Sequence, residues 1–169
     1  MGDINKTLAA LEQSQIGWVV PDIHAAVKFF QNAMGITFPE PQRYSAEELG
    51  ISYYGKVVPS EGLTTQTYNG GTFIELIQPI SGENVFSDYL NKYPQGGVQH
   101  MAFKLPVSGF EKIKSELLKQ GFELMSTVDH PIARMAFFDT YKILGVATEI
   151  MGITPEGEKA IGDWKKGSK

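Results

Sequence analysis

Large apolar and small or polar residues alternate through Gln15-Ile16-Gly17-Trp18-Val19-Val20, with Ile16, Trp18 and Val20 on one side, which predicts a half-buried strand. Beyond Pro21 the period changes. Ile23, Ala26, Val27, Phe30 and Met34 recur at three- and four-residue spacing and predict a helix over 23–34, N-capped by Asp22 and ended by Gly35. The stretch from Phe38 to Pro59 is rich in Pro and Tyr, with one strand expected around Ile51–Val58. Two further strands are expected near Leu63–Tyr68 and Thr72–Gln78, joined by a tight Asn69-Gly70-Gly71 turn. Pro79–Gln95 reads as a linker with a short helix around Val85–Tyr93, and the residues up to about Ser14 as a flexible arm or short cap.

The same order then returns. A strand at Gln99–Leu105 leads into a helix at about Val107–Gln120 closed by Gly121, followed by strands near Phe122–Val128, Arg134–Asp139 and Gly145–Met151. Placing Gln15 on His100, an offset of 85, puts Ile16 on Met101, Gly17 on Ala102, Trp18 on Phe103 and Pro21 on Pro106. Gly71 precedes Glu75 as Gly145 precedes Glu149, and each Glu is followed by an aliphatic residue. The expected fold is α+β: two tandem βαβββ modules, about 15–79 and 98–152, within one domain over 1–152. A module this short cannot cover its own sheet face, so the two should pair into a curved, eight-stranded, open barrel-like sheet around a cleft. Residues 153–169 read as a polar surface tail.

Strand alternation turns Gln15 and His100 away from the helices, while Glu75 and Glu149 sit inside the apolar runs FIELI and ATEIM. A carboxylate there is costly unless it is paired, hydrogen-bonded or metal-bound. Gln15, Glu75, His100 and Glu149 thus form one candidate constellation, with small Gly17 and Ala102 expected to leave room for a ligand. One imidazole, two carboxylates and an amide oxygen suit a single divalent Zn, Ni, Co or Mn ion. Taken singly, a strand His is more often a hydrogen-bonded structural residue and a strand Glu a solvated one; the paired repeat positions favour a metal site. His24 is expected to be exposed, His130 to have a minor chance of touching substrate, and Arg134 to pair with Asp139 or another surface acid.

Composition excludes more than it assigns. A net charge of −4 and a pI near 5.4 argue against a nucleic-acid partner. No apolar run is long enough for a membrane span, and the opening MGDINKTLAALEQSQ has no signal-peptide pattern. The absence of cysteine removes disulfides and thiolate chemistry, and a cytoplasmic location is expected.

The segments QIGWVVPDIHAAVKFFQNAMGI, GGTFIELIQP, GGVQHMAFKLP and RMAFFDTYKILGVATEIMG resemble the vicinal oxygen chelate superfamily, which includes glyoxalase I, methylmalonyl-CoA epimerase, extradiol dioxygenases and bleomycin-resistance proteins. The resemblance implies metal ligands on the first, fourth, fifth and eighth strands, which are Gln15, Glu75, His100 and Glu149. It implies a lyase or isomerase that moves a proton beside a chelated carbonyl through an enediolate or enolate, with Glu149 as base and Glu75 as second acid–base group. The substrate would be a small molecule with adjacent oxygens, of α-hydroxy carbonyl, thiohemiacetal or acyl-CoA type, and the assembly a homodimer. Gln15 stands where extradiol dioxygenases carry His, which disfavours iron-dependent oxygen chemistry. The third strand, LTTQTY, lacks the catalytic Glu of some epimerases, and the insert Arg43–Pro59 is longer than in compact ones. The rival reading is a metal-free, resistance-type binder of an aromatic ligand, supported by Tyr44, Tyr53, Tyr54 and Tyr68.

Overall fold

The computed structural model describes residues 11–167. The chain runs β1 (Glu12–Val19), α1 (Ile23–Met34), β2 (Gln42–Ser45), α2 (Ala46–Leu49), β3 (Ser52–Tyr53), β4 (Lys56–Val57), β5 (Ser60–Asn69), β6 (Thr72–Gly82), α3 (Val85–Lys92), β7 (Gly97–Pro106), a 3-10 turn (Val107–Gly109), α4 (Phe110–Lys119), β8 (Leu124–His130), β9 (Ala133–Phe138), α5 (Tyr141–Leu144), β10 (Ala147–Ile153) and α6 (Pro155–Gly167). Eight strands form a single curled sheet in the order β2-β5-β6-β1-β7-β10-β9-β8. Each half supplies four neighbouring strands. Within the halves β1 runs parallel to β6 and β7 parallel to β10, and the halves meet along the antiparallel β1–β7 seam. This is the α+β, two-module sheet expected from the repeat.

α1 and α4 cover the convex side. Asp22 accepts the Ala25 N–H at 2.9 Å and so caps α1, and Gly35 ends it in the left-handed conformation. Ile23 is fully buried, and Phe30 meets Trp18 edge-on at 6.1 Å. On the second half Leu105, Phe110, Ile113, Phe138 and Ile150 form the layer between α4 and the sheet. Across the sheet, on the concave side, Val19, Ile77, Val85, Phe86, Met125, Phe137 and Ala147 pack together beneath α3.

Several boundaries differ from expectation, each for a local reason. The strand expected at 51–58 is instead a two-stranded ribbon, β3–β4, because Tyr54 and Gly55 both take positive φ and fold the run back on itself. The strand that joins the main sheet from this insert is β2, whose four residues are too few and too polar to alternate. It is seated by Tyr44, whose ring lies over Gly62, its partner on β5. β6 continues through Pro79 to Gly82, and a bulge at Glu61/Gly62 absorbs the proline. The strand expected at Gly145–Met151 starts later, since α5 occupies Tyr141–Leu144 and Gly145 ends it at φ 76°.

The C-terminal segment is not a simple surface tail. Thr154 Oγ1 accepts the Gly157 N–H at 3.1 Å, Pro155 opens the helix, and α6 lies against the concave side through Ile161 and Trp164. The arm or cap expected before Ser14 falls mostly outside the described residues; Glu12–Ser14 already belong to β1. Among the described residues no helix is long and apolar enough to cross a membrane.

Gly152 on β10 sits directly under Phe110 of α4, where an added Cβ would come within 2.6 Å of the Phe110 Cβ. Gly152→Ala is therefore expected to destabilise the protein by about 1–3 kcal/mol through overpacking, read by equilibrium urea unfolding.

Candidate functional site

The four central strands, β6, β1, β7 and β10, each bring one polar residue to the concave face: Glu75, Gln15, His100 and Glu149. The structure thus gathers all four sequence-predicted residues. Gly17 is the hub of their register, opposite Glu75 on one side and His100 on the other. A Cβ at Gly17 would lie 1.9 Å from His100 Cε1. The small residue therefore makes room for the imidazole, not for a ligand as expected.

Two bulges set the approach to the seam. The β1–β7 pairing skips Ser14 on β1 and Gln99 on β7, the residues immediately before Gln15 and His100. Ser14 and Gln99 occupy equivalent positions in the repeat, so the same irregularity is built into both halves. An extra residue lets neighbours in a strand point to the same side, and Gln99 and His100 are accordingly both fully buried.

The polar groups meet at His100 Nε2. Glu75 Oε2 and Glu149 Oε2 each stand 3.4 Å away, and Gln15 Nε2 is also at 3.4 Å. Gln15 Nε2 donates to Glu75 Oε2 at 2.8 Å, and Thr64 Oγ1 donates to Glu75 Oε1 at 3.3 Å. Behind the ring, His100 Nδ1 faces Gln99 Oε1 at 2.7 Å, and Gln99 Nε2 donates to Tyr141 Oη at 2.7 Å. Phe137 meets the imidazole edge-on at 5.1 Å, with Phe86 at 6.3 Å.

Burial drives the electrostatics. Glu149 is 1% exposed, and loss of hydration pushes its carboxyl up to about 7; the nearby imidazole opposes this and the Glu75 charge adds to it. Burial alone would lower the His100 pKa. The hydrogen bond with Glu75 and the charges of Glu149 and Glu75 outweigh it, so the net direction is upward. Burial and the Glu75 charge hold the Tyr44 phenol far above its ordinary range.

A divalent ion fits this chemistry. Glu149 Oε2 is buried without a hydrogen-bond partner, which leaves it in need of a cation. His100, Glu75 and Glu149 supply nitrogen and oxygen donors. Gln15 turns its amide nitrogen inward, so ligation through its oxygen needs a half-turn of the amide. Among the described residues no three His, Asp or Glu side chains already enclose one point at coordinating distance. The set supplies donors, not a finished coordination sphere.

Gln15, Glu75 and Glu149 line a cavity of about 430 Å³, bounded by both halves, by α3 and by α6, whereas fully buried His100 is not part of its lining. Phe73, Phe86, Met135, Phe137, Met151 and Trp164 make much of its lining apolar. Tyr44 and Tyr68 also line it, whereas Tyr53 and Tyr54 meet edge-on at 4.9 Å away from it. His24 is exposed, as expected. His130 borders the cavity, half-buried. Arg134 pairs with Asp129 at 3.3 Å and with Glu111 at 3.7 Å, so its surface acids are these and not Asp139. Sequence reasoning missed Thr64, Gln99 and Tyr141. Of these, Gln99 could have been flagged by its place before His100, but only the bulge shows that it shares the buried side.

A family model described as Glyoxalase/Bleomycin resistance protein/Dioxygenase superfamily matches residues 14–137. No curated protein matches the sequence. Solved structures share the fold. Methylmalonyl-CoA epimerase from Mycobacterium tuberculosis is 18% identical with a TM-score of 0.59, covering 88% of this chain and 91% of its own. A hypothetical protein from Bacillus halodurans is 21% identical (TM-score 0.58, 84% and 94% covered). A variant of Streptomyces coelicolor methylmalonyl-CoA epimerase in complex with 2-nitronate-propionyl-CoA is 20% identical (TM-score 0.58, 85% and 93% covered).

Because Glu149 binds its proton more tightly folded than unfolded, its stabilisation is complete below pH 4.5 and is lost as pH rises through about 7. His100 acts in the same sense. Chelator-treated protein is expected to be less stable at pH 8 than at pH 5, by on the order of 3 kcal/mol from Glu149, and Glu149→Gln should flatten that slope in urea unfolding. Gly17→Ala should displace the imidazole and cost about 1–3 kcal/mol in the same assay.

Proposed function

Since the chain belongs to the glyoxalase/bleomycin resistance protein/dioxygenase superfamily, we propose that it is a metal-dependent lyase or isomerase moving a proton on the carbon beside a carbonyl. The observation that carries this reading is Glu149: a fully buried carboxylate with an unpartnered oxygen, set beside His100 on the wall of an apolar cavity. A buried structural carboxylate would be expected to have its hydrogen bonds completed.

Glu75, His100 and Glu149 would hold one divalent ion (Zn, Ni, Co or Mn), joined by Gln15 once its amide oxygen turns inward. The ion would supply electrophilic polarisation of a carbonyl held through two neighbouring oxygens. Glu149 is the base, a buried carboxylate on the cavity wall with an unpartnered oxygen. Glu75, held by Thr64, is the second proton carrier. Phe86 and Phe137 keep water from the imidazole. The apolar lining favours substrates whose adjacent oxygens are attached to an apolar body. Methylmalonyl-CoA epimerases among the similar structures make acyl-CoA thioesters one class to try, beside α-hydroxy carbonyls and thiohemiacetals. The size and apolarity of the cavity also favour, as a second reading, a metal-free binder of an aromatic ligand.

Metal content and deuterium exchange at the carbon beside the carbonyl decide between them. Wild type is expected to hold about one divalent ion per chain, and His100→Ala to lose it. Glu149→Gln should slow exchange at least ~100-fold, the usual worth of a positioned base. Full metal content in His100→Ala sinks the site, and undiminished exchange in Glu149→Gln sinks the base. A wild type that neither holds nor takes up a divalent ion favours the binder.

A further inference from the structure

We propose that Gln99 and Tyr141 are positioning residues that fix which nitrogen of the neutral His100 ring carries the proton, holding it on Nδ1 so that Nε2 is the nitrogen left for a ligand. The inference rests on the reading of His100 as a ligand through Nε2 only for its importance; the arrangement itself stands on hydrogen-bond chemistry.

An imidazole buried without access to water cannot choose its tautomer freely, because each nitrogen must meet a partner of matching kind. On one side of the His100 ring Gln99 Oε1 lies 2.7 Å from Nδ1, a short contact that needs a proton between the two atoms. Gln99 is itself fully buried, and its amide is anchored at the far end by the 2.7 Å bond from Nε2 to Tyr141 Oη. With its nitrogen engaged there, the amide presents its oxygen to the ring.

The other side of the ring has looser contacts. Gln15 Nε2 donates at 2.8 Å to Glu75 Oε2. The same nitrogen stands 3.4 Å from His100 Nε2. Glu75 Oε2 and Glu149 Oε2 stand at the same 3.4 Å from Nε2, so these contacts are all longer than the 2.7 Å one at Nδ1. The short contact therefore selects the Nδ1–H form of the neutral ring. The bulge at Gln99 makes this possible, because regular alternation would turn the side chain before His100 to the opposite face of the sheet. Partners on the non-ligating nitrogen orient metal-binding histidines in general and alter metal affinity by 10–100-fold.

Nitrogen-15 NMR of chelator-treated protein, at a pH alkaline enough to neutralise the imidazole, reads the tautomer directly. His100 in wild type is expected to show a protonated Nδ1 and an unprotonated Nε2. Gln99→Met, of similar length but without an acceptor, should raise the Nε2–H form to a major population. Gln99→Glu, which still offers an oxygen, should restore Nδ1–H, and Tyr141→Phe should shift the balance part of the way. Signals of His24 and His130 should not move. Zn(II) affinity, measured by competition with a chromophoric chelator, should fall 10–100-fold in Gln99→Met and less in Gln99→Glu. An Nε2–H tautomer in wild type overturns the proposal, as does an unchanged tautomer in Gln99→Met and Tyr141→Phe. A wild type that takes up no Zn(II) overturns the metal reading instead, while the nitrogen shifts still decide the tautomer.

Discussion

A carboxylate at 1% exposure with an oxygen that no hydrogen-bond donor among the described residues satisfies is the constraint around which the concave face is arranged. Removing a charge from water costs several kcal/mol even after relaxation, and a protein meets that cost with a counter-charge, with hydrogen bonds or by protonating the group. Here Glu149 finds an imidazole at 3.4 Å and no hydrogen-bond donor for Oε2, so its proton affinity rises. The surroundings prevent escape. Phe137 lies opposite on β9 and Ala102 opposite on β7. His100 can reach the cluster only because Gly17, across the seam, has no side chain. Burial, register and a single glycine thus act together to keep an acid and a base in contact away from water.

The two halves of the repeat carry equivalent residues in unequal surroundings, and that inequality gives the cluster its chemistry. Glu75 and Glu149 occupy matching places in parallel strand pairs, β1–β6 and β7–β10. Glu75 has two donors, Gln15 and Thr64, and its side chain keeps 20% exposure. Glu149 has no hydrogen-bond donor to Oε2 among the described residues, and its side chain keeps only 2% exposure. A pair of carboxylates placed in such different environments is suited to separate duties, one held in place and one exchanging a proton. The sheet supplies symmetry in the backbone; the side chains around it break the symmetry.

What could be read in the sequence was whatever the repeat made redundant. The alternation of Ile16, Trp18 and Val20 and of Met101, Phe103 and Leu105 announced two equivalent strands, and the offset between them selected Gln15, Glu75, His100 and Glu149 together. Features without a counterpart in the other half were invisible. β2 is four polar residues whose place is set by Tyr44 against a glycine eighteen positions on, a contact that periodicity does not report. The wall that α6 adds to the cavity depends on Ile161 and Trp164, isolated apolar residues in a polar tail. Gln99 and Tyr141 were hidden for a further reason. A bulge reverses the expected direction of one side chain, and nothing in composition marks where a bulge falls.

The choice of an amide at position 15 ties these points together. An imidazole there would add a second titrating ring beside Glu75, and protons would have two histidines to occupy. Gln15 has no proton to gain or lose. It spends its N–H on Glu75 and leaves His100 and the two carboxylates as the ionisable groups of the cluster. His100 in turn is held from behind by a neutral amide and a phenol, not by a carboxylate, so no further anion is buried at its back. Movement of charge is thereby confined to the cavity side of the ring, where Glu149 and Glu75 both face Nε2. The neutral partners matter as much as the charged ones: they keep the ionisable groups of the cluster together on the cavity side.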